Sequence, residues 1–93
     1  MAAASTIAVL ATLDTKGIEA DFIRKHLEGL GCGVLFVDIG VIDPPTVDPH
    51  LTRDQVADAA GTSMRSVLEN PTRQQASDVM VRGASALLQG MVA

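Results

Sequence analysis

The residues best suited to chemistry in this sequence lie in one short loop. Two hydroxyls, one carboxylate and one ammonium group come from Thr12, Asp14, Thr15 and Lys16. An apolar run at residues 7–11 precedes the loop, and a segment with helical spacing of apolar residues follows it. Free amides at a helix start, with a lysine beside them, can hold a phosphate group. Asp14 could also hold Mg²⁺ through water, because that ion keeps several waters and takes one or two carboxylates.

The same loop is also typical of a capped helix start without a ligand. Asp14 or Thr15 can accept a hydrogen bond from a free amide of the first turn, while Lys16 stays in solvent. A Walker A loop is excluded, because the upstream glycine and the Gly-Lys-Ser/Thr ending are absent. Phosphate binding and simple capping therefore both stay open at this point.

Two further groups of residues could belong to the same site. Asp38 ends the second apolar run, near the place of a ribose-binding acid in a Rossmann site, and Gly40 follows it. Asp38 could instead cap the Gly40 turn or bond nearby amides, because a buried carboxylate without partners is costly. Thr62 and Ser63 could reach the same face, or could cap the helical segment that follows them.

The apolar pattern predicts an α/β fold with a short parallel sheet, as a Rossmann-like three-layer fragment. Residues 6–38 form one β-α-β unit, and the proline-rich residues 42–51 form a loop. Helices are predicted at about 52–60, 63–69 and 73–90, and the last has one continuous apolar stripe. Gly83 and Ala84 make that stripe thin at its middle, so another backbone can approach closely.

The small number of strands indicates an incomplete sheet. Two strands give little sheet, and parallel sheets are usually covered on both faces. Unpaired edges would also invite pairing with other strands. We therefore expect residues beyond this sequence, or a partner chain, to complete the sheet, and a homo-oligomer is one form of that expectation.

Composition excludes several classes of function. The chain has 93 residues, enough for one domain, so 1–93 is predicted to be a single Rossmann-like subdomain. Its net charge is -4 with no basic run, which argues against nucleic-acid binding. No segment approaches the roughly 20 apolar residues of a membrane helix. Cys32 is the single cysteine, so we expect no internal disulfide and a cytoplasmic protein.

Four ordered motifs resemble one known family. They are residues 7–17, residues 37–41, residues 56–63 and residues 82–88. The chain resembles the ATP-binding amino-terminal region of the tomato mosaic virus resistance protein-like (Tm-one-like) family and its bacterial relatives. Members of that family are much longer, and their next segment is a strand followed by a glycine-rich loop that serves the nucleotide region.

The resemblance implies part of an ATP site between two subdomains. It implies that the first family loop falls on Thr12, Asp14, Thr15 and Lys16, the second on Asp38 and Gly40, and the third on Gly61, Thr62 and Ser63. ATP, with Mg²⁺ in addition, is then the expected cofactor. No catalytic residue and no metal ligand set is assigned by the sequence.

The expected function is therefore a nucleotide-binding subdomain of a larger protein. One alternative is a structural or interaction module that pairs its strand edges with another chain. A second alternative is part of an enzyme for a small phosphorylated or carboxylated metabolite, with the catalytic residues elsewhere.

Overall fold

The computed structural model describes residues 5–92, so residues 1–4 and 93 of the predicted domain lie outside the described residues. No helix in the described part of the chain is both long and apolar enough to cross a membrane. The elements in chain order are β1 (Thr6–Ala11), α1 (Gly17–Gly29), β2 (Gly33–Asp38), α2 (Arg53–Ala59), α3 (Met64–Leu68) and α4 (Arg73–Val92).

The two strands form one parallel pair. Their register runs from Thr6 opposite Gly33 to Ala11 opposite Asp38. Helix α1 makes the crossover, as parallel strands require. At its end Gly31 adopts a φ of 89°, a left-handed conformation that glycine reaches without steric cost. The chain can therefore turn tightly from α1 into β2.

Helices cover both faces of this small sheet. Successive residues of a strand point to opposite faces. Val34 and Phe36 pack in the cluster that contains Ala20 of α1. Leu35 and Val37 pack in the cluster formed with α2, α3 and α4. The predicted α/β class, with three layers and a short parallel sheet, is confirmed.

Helix α4 packs closely on α2 through the thin part of its stripe. Ala76, Met80 and Ala84 are buried in the core cluster. Gly83 lies against the carbonyl oxygen of Val56, so a β-carbon at this position would collide with that oxygen. The close backbone approach predicted from Gly83 and Ala84 is therefore present.

The apolar residues that follow the first loop at helical spacing are largely exposed, in α1 and just after it. Ile23 is 47% exposed and Leu30 is 68% exposed, whereas the small residues Gly17 and Ala20 are buried. The reason is geometric. Two strands lie only about 5 Å apart, which is narrower than a helix of about 10 Å. The centre of the α1 face therefore contacts the sheet, and its apolar flank extends beyond the sheet.

A pair of glycine substitutions in α4 tests the close contact with α2. Gly83→Ala should lower the free energy of unfolding by about 1–3 kcal/mol, because the new methyl group overpacks a rigid backbone contact. Gly90→Ala, where no atom lies within 4 Å of the new β-carbon, should be neutral or stabilising by up to about 1 kcal/mol. Urea denaturation of both variants measures the difference, and equal effects would contradict the close contact.

Candidate functional site

Asp38 is a fully buried carboxylate at the carboxyl end of β2. Its Oδ1 accepts hydrogen bonds from the amides of Leu13 at 3.3 Å and Gly40 at 2.9 Å. Its Oδ2 accepts from Nε of Arg53 at 3.0 Å. Of the two arrangements that the sequence left open, Asp38 has the one in which it bonds nearby amides. Both of its oxygens already have donors from this chain.

Arg53 connects this carboxylate with a second one. It is the first residue of α2, and its Nη2 lies 4.0 Å from Oδ2 of Asp14. The side chain is 15% exposed, and the Asp14 and Asp38 side chains are each 1% exposed. Because all three are shielded from water, their attraction is stronger than that of a surface pair. We call Asp14, Asp38 and Arg53 the carboxylate–arginine cluster.

The backbone supplies most of the donors to Asp14. Its Oδ2 accepts from the amides of Ile42 and Asp43, each at 3.0 Å, and its Oδ1 accepts from Thr15 at 2.9 Å. Burial raises the pKa of the Asp14 carboxyl. The bonds from Asp43, Ile42 and Thr15, together with the charge of Arg53, outweigh burial and hold the pKa below its ordinary value.

The cluster packs directly against Gly40, which has no side chain. A β-carbon at this position would lie 2.7 Å from Nη2 of Arg53 and 2.7 Å from Oδ1 of Asp14. Both distances are too short for any side chain. The predicted site residue Gly40 therefore lies directly beside the cluster, where its lack of a side chain is required.

The proline-rich loop crosses the start of α1. Thr46 donates to the carbonyl oxygen of Leu13 through both its amide and its hydroxyl, at 2.9 Å and 2.8 Å. The Thr46 hydroxyl also rests against Gly17, where a β-carbon would collide with it. The loop thus fixes the first strand-to-helix loop from outside.

The predicted capping of α1 by Asp14 or Thr15 is wrong. The N-cap residue is Lys16, and no side chain caps this helix start. Asp14 bonds the amides of the proline-rich loop instead, 28 and 29 residues away. In the described part of the chain, no hydrogen bond is formed by the amides of Gly17, Ile18 and Glu19.

The remaining predicted site residues divide between the loop and the far end of α2. Thr12 and Thr15 share a hydrogen bond between their hydroxyls at 3.0 Å, beside the α1 start. Ser63 caps α3 by accepting from Ser66, and the amide of Thr62 bonds the carbonyl of Ala57. No hydrogen bond among the described residues joins Thr62 or Ser63 to the cluster.

The site thus combines a cluster of two carboxylates and one guanidinium with backbone amides that bond no group among the described residues. Both carboxylates of the cluster bond donors of this chain. In residues 5–92, no group of three or more His, Cys, Asp or Glu side chains is arranged to hold a metal ion. Donors that form no hydrogen bond among the described residues are the α1 amides and the buried Nη2 of Arg53, and such donors suit an acceptor such as an anion.

Sequence reasoning missed Arg53 as a site residue. The pattern at residues 52–55 predicts a capping box, and Thr52 and Gln55 do form one. The available signal was the cost of a buried Asp38, which requires a cation or several donors. Only seven lysines and arginines occur in the chain, so the candidates for that cation were few.

Two arginine substitutions compare the cluster with a surface ion pair. Arg53→Met should lower the free energy of unfolding by about 3 kcal/mol or more, because it leaves a buried carboxylate uncompensated. The control Arg24→Met also breaks two carboxylate contacts, to Asp21 and Glu28, but the three side chains are more exposed, at 28%, 24% and 47% respectively. Its cost should stay below about 1 kcal/mol. Chemical denaturation measures both, and a loss below about 1 kcal/mol for Arg53→Met would contradict a stabilising role of the cluster.

The lowered pKa of Asp14 predicts a pH dependence of stability. A carboxyl whose pKa is lower in the folded state stabilises the protein above its unfolded pKa of about 3.9. This stabilisation is lost as the pH falls through the folded pKa. The deficit of Asp14→Asn relative to wild type should therefore be largest near neutral pH and shrink below about pH 4. Thermal unfolding at several pH values measures it, with the exposed Asp58→Asn as control. A deficit independent of pH would contradict the assignment.

Comparisons with known proteins give the family of the chain. The family model described as "Uncharacterised protein family (UPF0261) N-terminal domain" matches residues 5–93. A UPF0261 protein of Clostridium tetani is 32% identical over 83 residues, which cover 89% of this chain and 20% of the relative. UPF0261 proteins of Brucella suis and Brucella melitensis are each 31% identical over 85 residues, 91% of this chain and 20% of the relative.

No solved structure gives a significant match to the chain. The chain spans about one fifth of the length of the curated relatives, so it corresponds to a domain of a larger protein. The resemblance to the tomato mosaic virus resistance protein-like family was wrong, because the matching model and relatives are those of UPF0261. The ATP site implied by that resemblance loses this support. The chain belongs to the UPF0261 family and matches its N-terminal domain.

Proposed function

We propose that this domain supplies the phosphate-binding part of a nucleotide site in a larger protein, with ATP as the ligand. The observation that carries the proposal is the uncapped start of α1, at the carboxyl end of β1. Three consecutive amides, those of Gly17, Ile18 and Glu19, have no hydrogen bond among the described residues. Such amides, with the positive end of the helix dipole, attract anions.

Lys16 adds an exposed positive charge at the same place. Its side chain is 65% exposed, and its Nζ lies 3.7 Å from the exposed carboxylate of Glu19. Exposed pairs of this kind contribute little, so the lysine is available to a ligand. Asp14 does not oppose an anion strongly, because backbone amides and Arg53 compensate its charge.

In this proposal the nucleotide phosphates, and not the side chains of this domain, bind Mg²⁺. Both oxygens of Asp14 already accept hydrogen bonds from this chain. Mg²⁺ would therefore arrive on the nucleotide phosphates, which are its usual partners in such sites. Asp38 and Gly40 would act by holding the loops in place. Direct contact of Thr62 or Ser63 with the ligand stays a prediction.

The rest of the site would come from outside residues 1–93. A stretch that is 20% of its relatives can carry only part of their ligand contacts. A role as one part of a metabolite enzyme remains an alternative for the whole protein. The single cysteine, Cys32, is free, and a cytoplasmic location remains our expectation.

An interaction module is a second candidate, because α1 exposes large apolar residues. Ile18 is 81% exposed and Phe22, one turn later, is 73% exposed. Adjacent exposed apolar residues are typical of surfaces that contact another chain or domain. An interaction surface and nucleotide binding are compatible. Ile18 and Phe22 lie on the same helix as the three amides without hydrogen bonds, but on a different side of the helix from Ala20, which packs on the sheet.

Titration with Mg-ATP and with inorganic phosphate, followed by amide resonances, tests nucleotide binding. Both ligands should shift the amides of Gly17, Ile18 and Glu19. Lys16→Ala should weaken binding about fivefold, since one charge at an anion site contributes about 1 kcal/mol. The matched control is Lys25→Ala on the same helix, where the lysine is 69% exposed and pairs with Asp21. It should leave the affinity unchanged.

Adenosine without phosphate separates the parts of the ligand. It should leave the three amides unshifted if the α1 start binds phosphate. Equal affinities for Lys16→Ala and Lys25→Ala, or shifts that occur with adenosine alone, would overturn the proposed phosphate contact.

A further inference from the structure

We propose that the outer edge of β1 is the docking site for a third parallel strand, supplied by the chain that follows α4 in the longer UPF0261 proteins. The two edges of the sheet differ in a way that selects β1. Helices α1 and α4 cover opposite faces of the sheet, and this placement determines on which side of the sheet the next strand must lie.

The outer edge of β2 is already covered by this chain. The amide of Phe36 donates to Nδ1 of His50 at 2.8 Å, and its carbonyl accepts from the amides of His50 and Leu51. The amide of Asp38 donates to the carbonyl of Leu51 at 3.0 Å. With these groups occupied, the carboxyl-terminal half of this edge is closed to a further strand.

The outer edge of β1 has no such cover among the described residues. The carbonyls of Ser5 and Ala11 accept from the amides of Gly33, the first residue of β2, and Ile39, just after its end. Because the residues that bond one neighbour alternate along a strand, the amides of Ala8 and Leu10 point to the opposite side. The described sheet contains only β1 and β2, so these amides face an open edge.

The side chains of β1 are those of an inner strand. Residues 7–11 are all apolar, yet Ile7 is 36% exposed and Leu10 is 37% exposed. Natural edge strands are usually protected by charges, prolines or bulges, and β1 has none of these. An apolar groove of about 450 Å³ lies beside it, between the sheet and the end of α4, lined by Thr6, Ala8, Leu35, Leu88 and Met91.

The handedness of the crossovers gives the direction. Strand–helix–strand connections in parallel sheets are almost always right-handed. Helix α1 lies on one face and leads from β1 to β2, whereas α4 lies on the opposite face. A right-handed connection that passes over the face covered by α4 therefore carries the chain in the opposite direction across the sheet, from β2 toward β1. A strand after α4 must therefore pass β1 and pair with its outer edge.

The end of α4 is placed for this connection. Leu88 and Met91 line the groove together with Thr6, the first residue of β1. The last turns of α4 therefore lie beside the start of β1, where a parallel strand has to begin. Chain to build it exists in the family, because the matched stretch is 20% of each curated relative.

Amide hydrogen exchange tests this docking. In the 93-residue chain, Ala8 and Leu10 should exchange at least about tenfold faster than Val9, which faces β2. In the complete Clostridium tetani relative, the amides aligned with Ala8 and Leu10 should be as slow as the amide aligned with Val9. The Val9 position is the internal control, since it pairs within the two-strand sheet in both proteins.

Two results would overturn the proposal. The first is fast exchange at the positions of Ala8 and Leu10 in the complete relative while the Val9 position stays slow, which would show an open edge. The second is protection of Ala8 and Leu10 in the 93-residue chain that rises with protein concentration. That result would assign the edge to a second copy of the chain.

Discussion

The buried charge of Asp38 is the constraint around which this domain is built. An ionised carboxylate without contact to water is strongly unfavourable unless charges and hydrogen-bond donors compensate it. The donors come from three separate segments, through the amide of Leu13 after β1, the amide of Gly40 after β2, and the guanidinium of Arg53 in α2. One side chain therefore ties both strand ends to the helix that begins the second layer.

This solution determines which chemistry remains at the carboxyl edge of the sheet. Arg53 also faces Asp14, which holds the proline-rich loop through two amides. Both carboxylates at this edge thus accept hydrogen bonds that stabilise the fold. Donors without a partner among the described residues are found at the α1 start, so this edge is better suited to an anion than to a cation. The net charge of -4 is compatible with the proposed anion contact, because the helix dipole and Lys16 act over short distances.

The sequence was informative where a signal is local and less so where it depends on distant partners. The apolar runs at residues 7–11 and 34–37 and the stripe of α4 predicted the layers, because their periodicity follows from backbone geometry. Asp14 was predicted as a cap by its position, but two amides from the proline-rich loop compete for it. The exposure of Ile23 and Leu30 depends on the width of the sheet, which helical spacing does not report. Similarly, short ordered motifs indicated the wrong family, and the match to the UPF0261 model over residues 5–93 corrected it.

The asymmetry of the two sheet edges connects the fold to the site. If the next strand lies on the far side of β1, the strand order becomes β2, β1, then the new strand. The connection through α1 then runs from β1 to β2, and the connection through α4 runs back from β2 past β1 to the new strand. Ligands in open parallel sheets bind where the strand order reverses in this way. That point is the carboxyl end of β1, which carries the loop from Thr12 to Lys16 and the free amides of α1. The same added strand that would cover Leu10 would thus bring its own following loop opposite the α1 start. A ligand bound there would be enclosed by two loops, of which this domain supplies the one with the amides proposed to contact an anion.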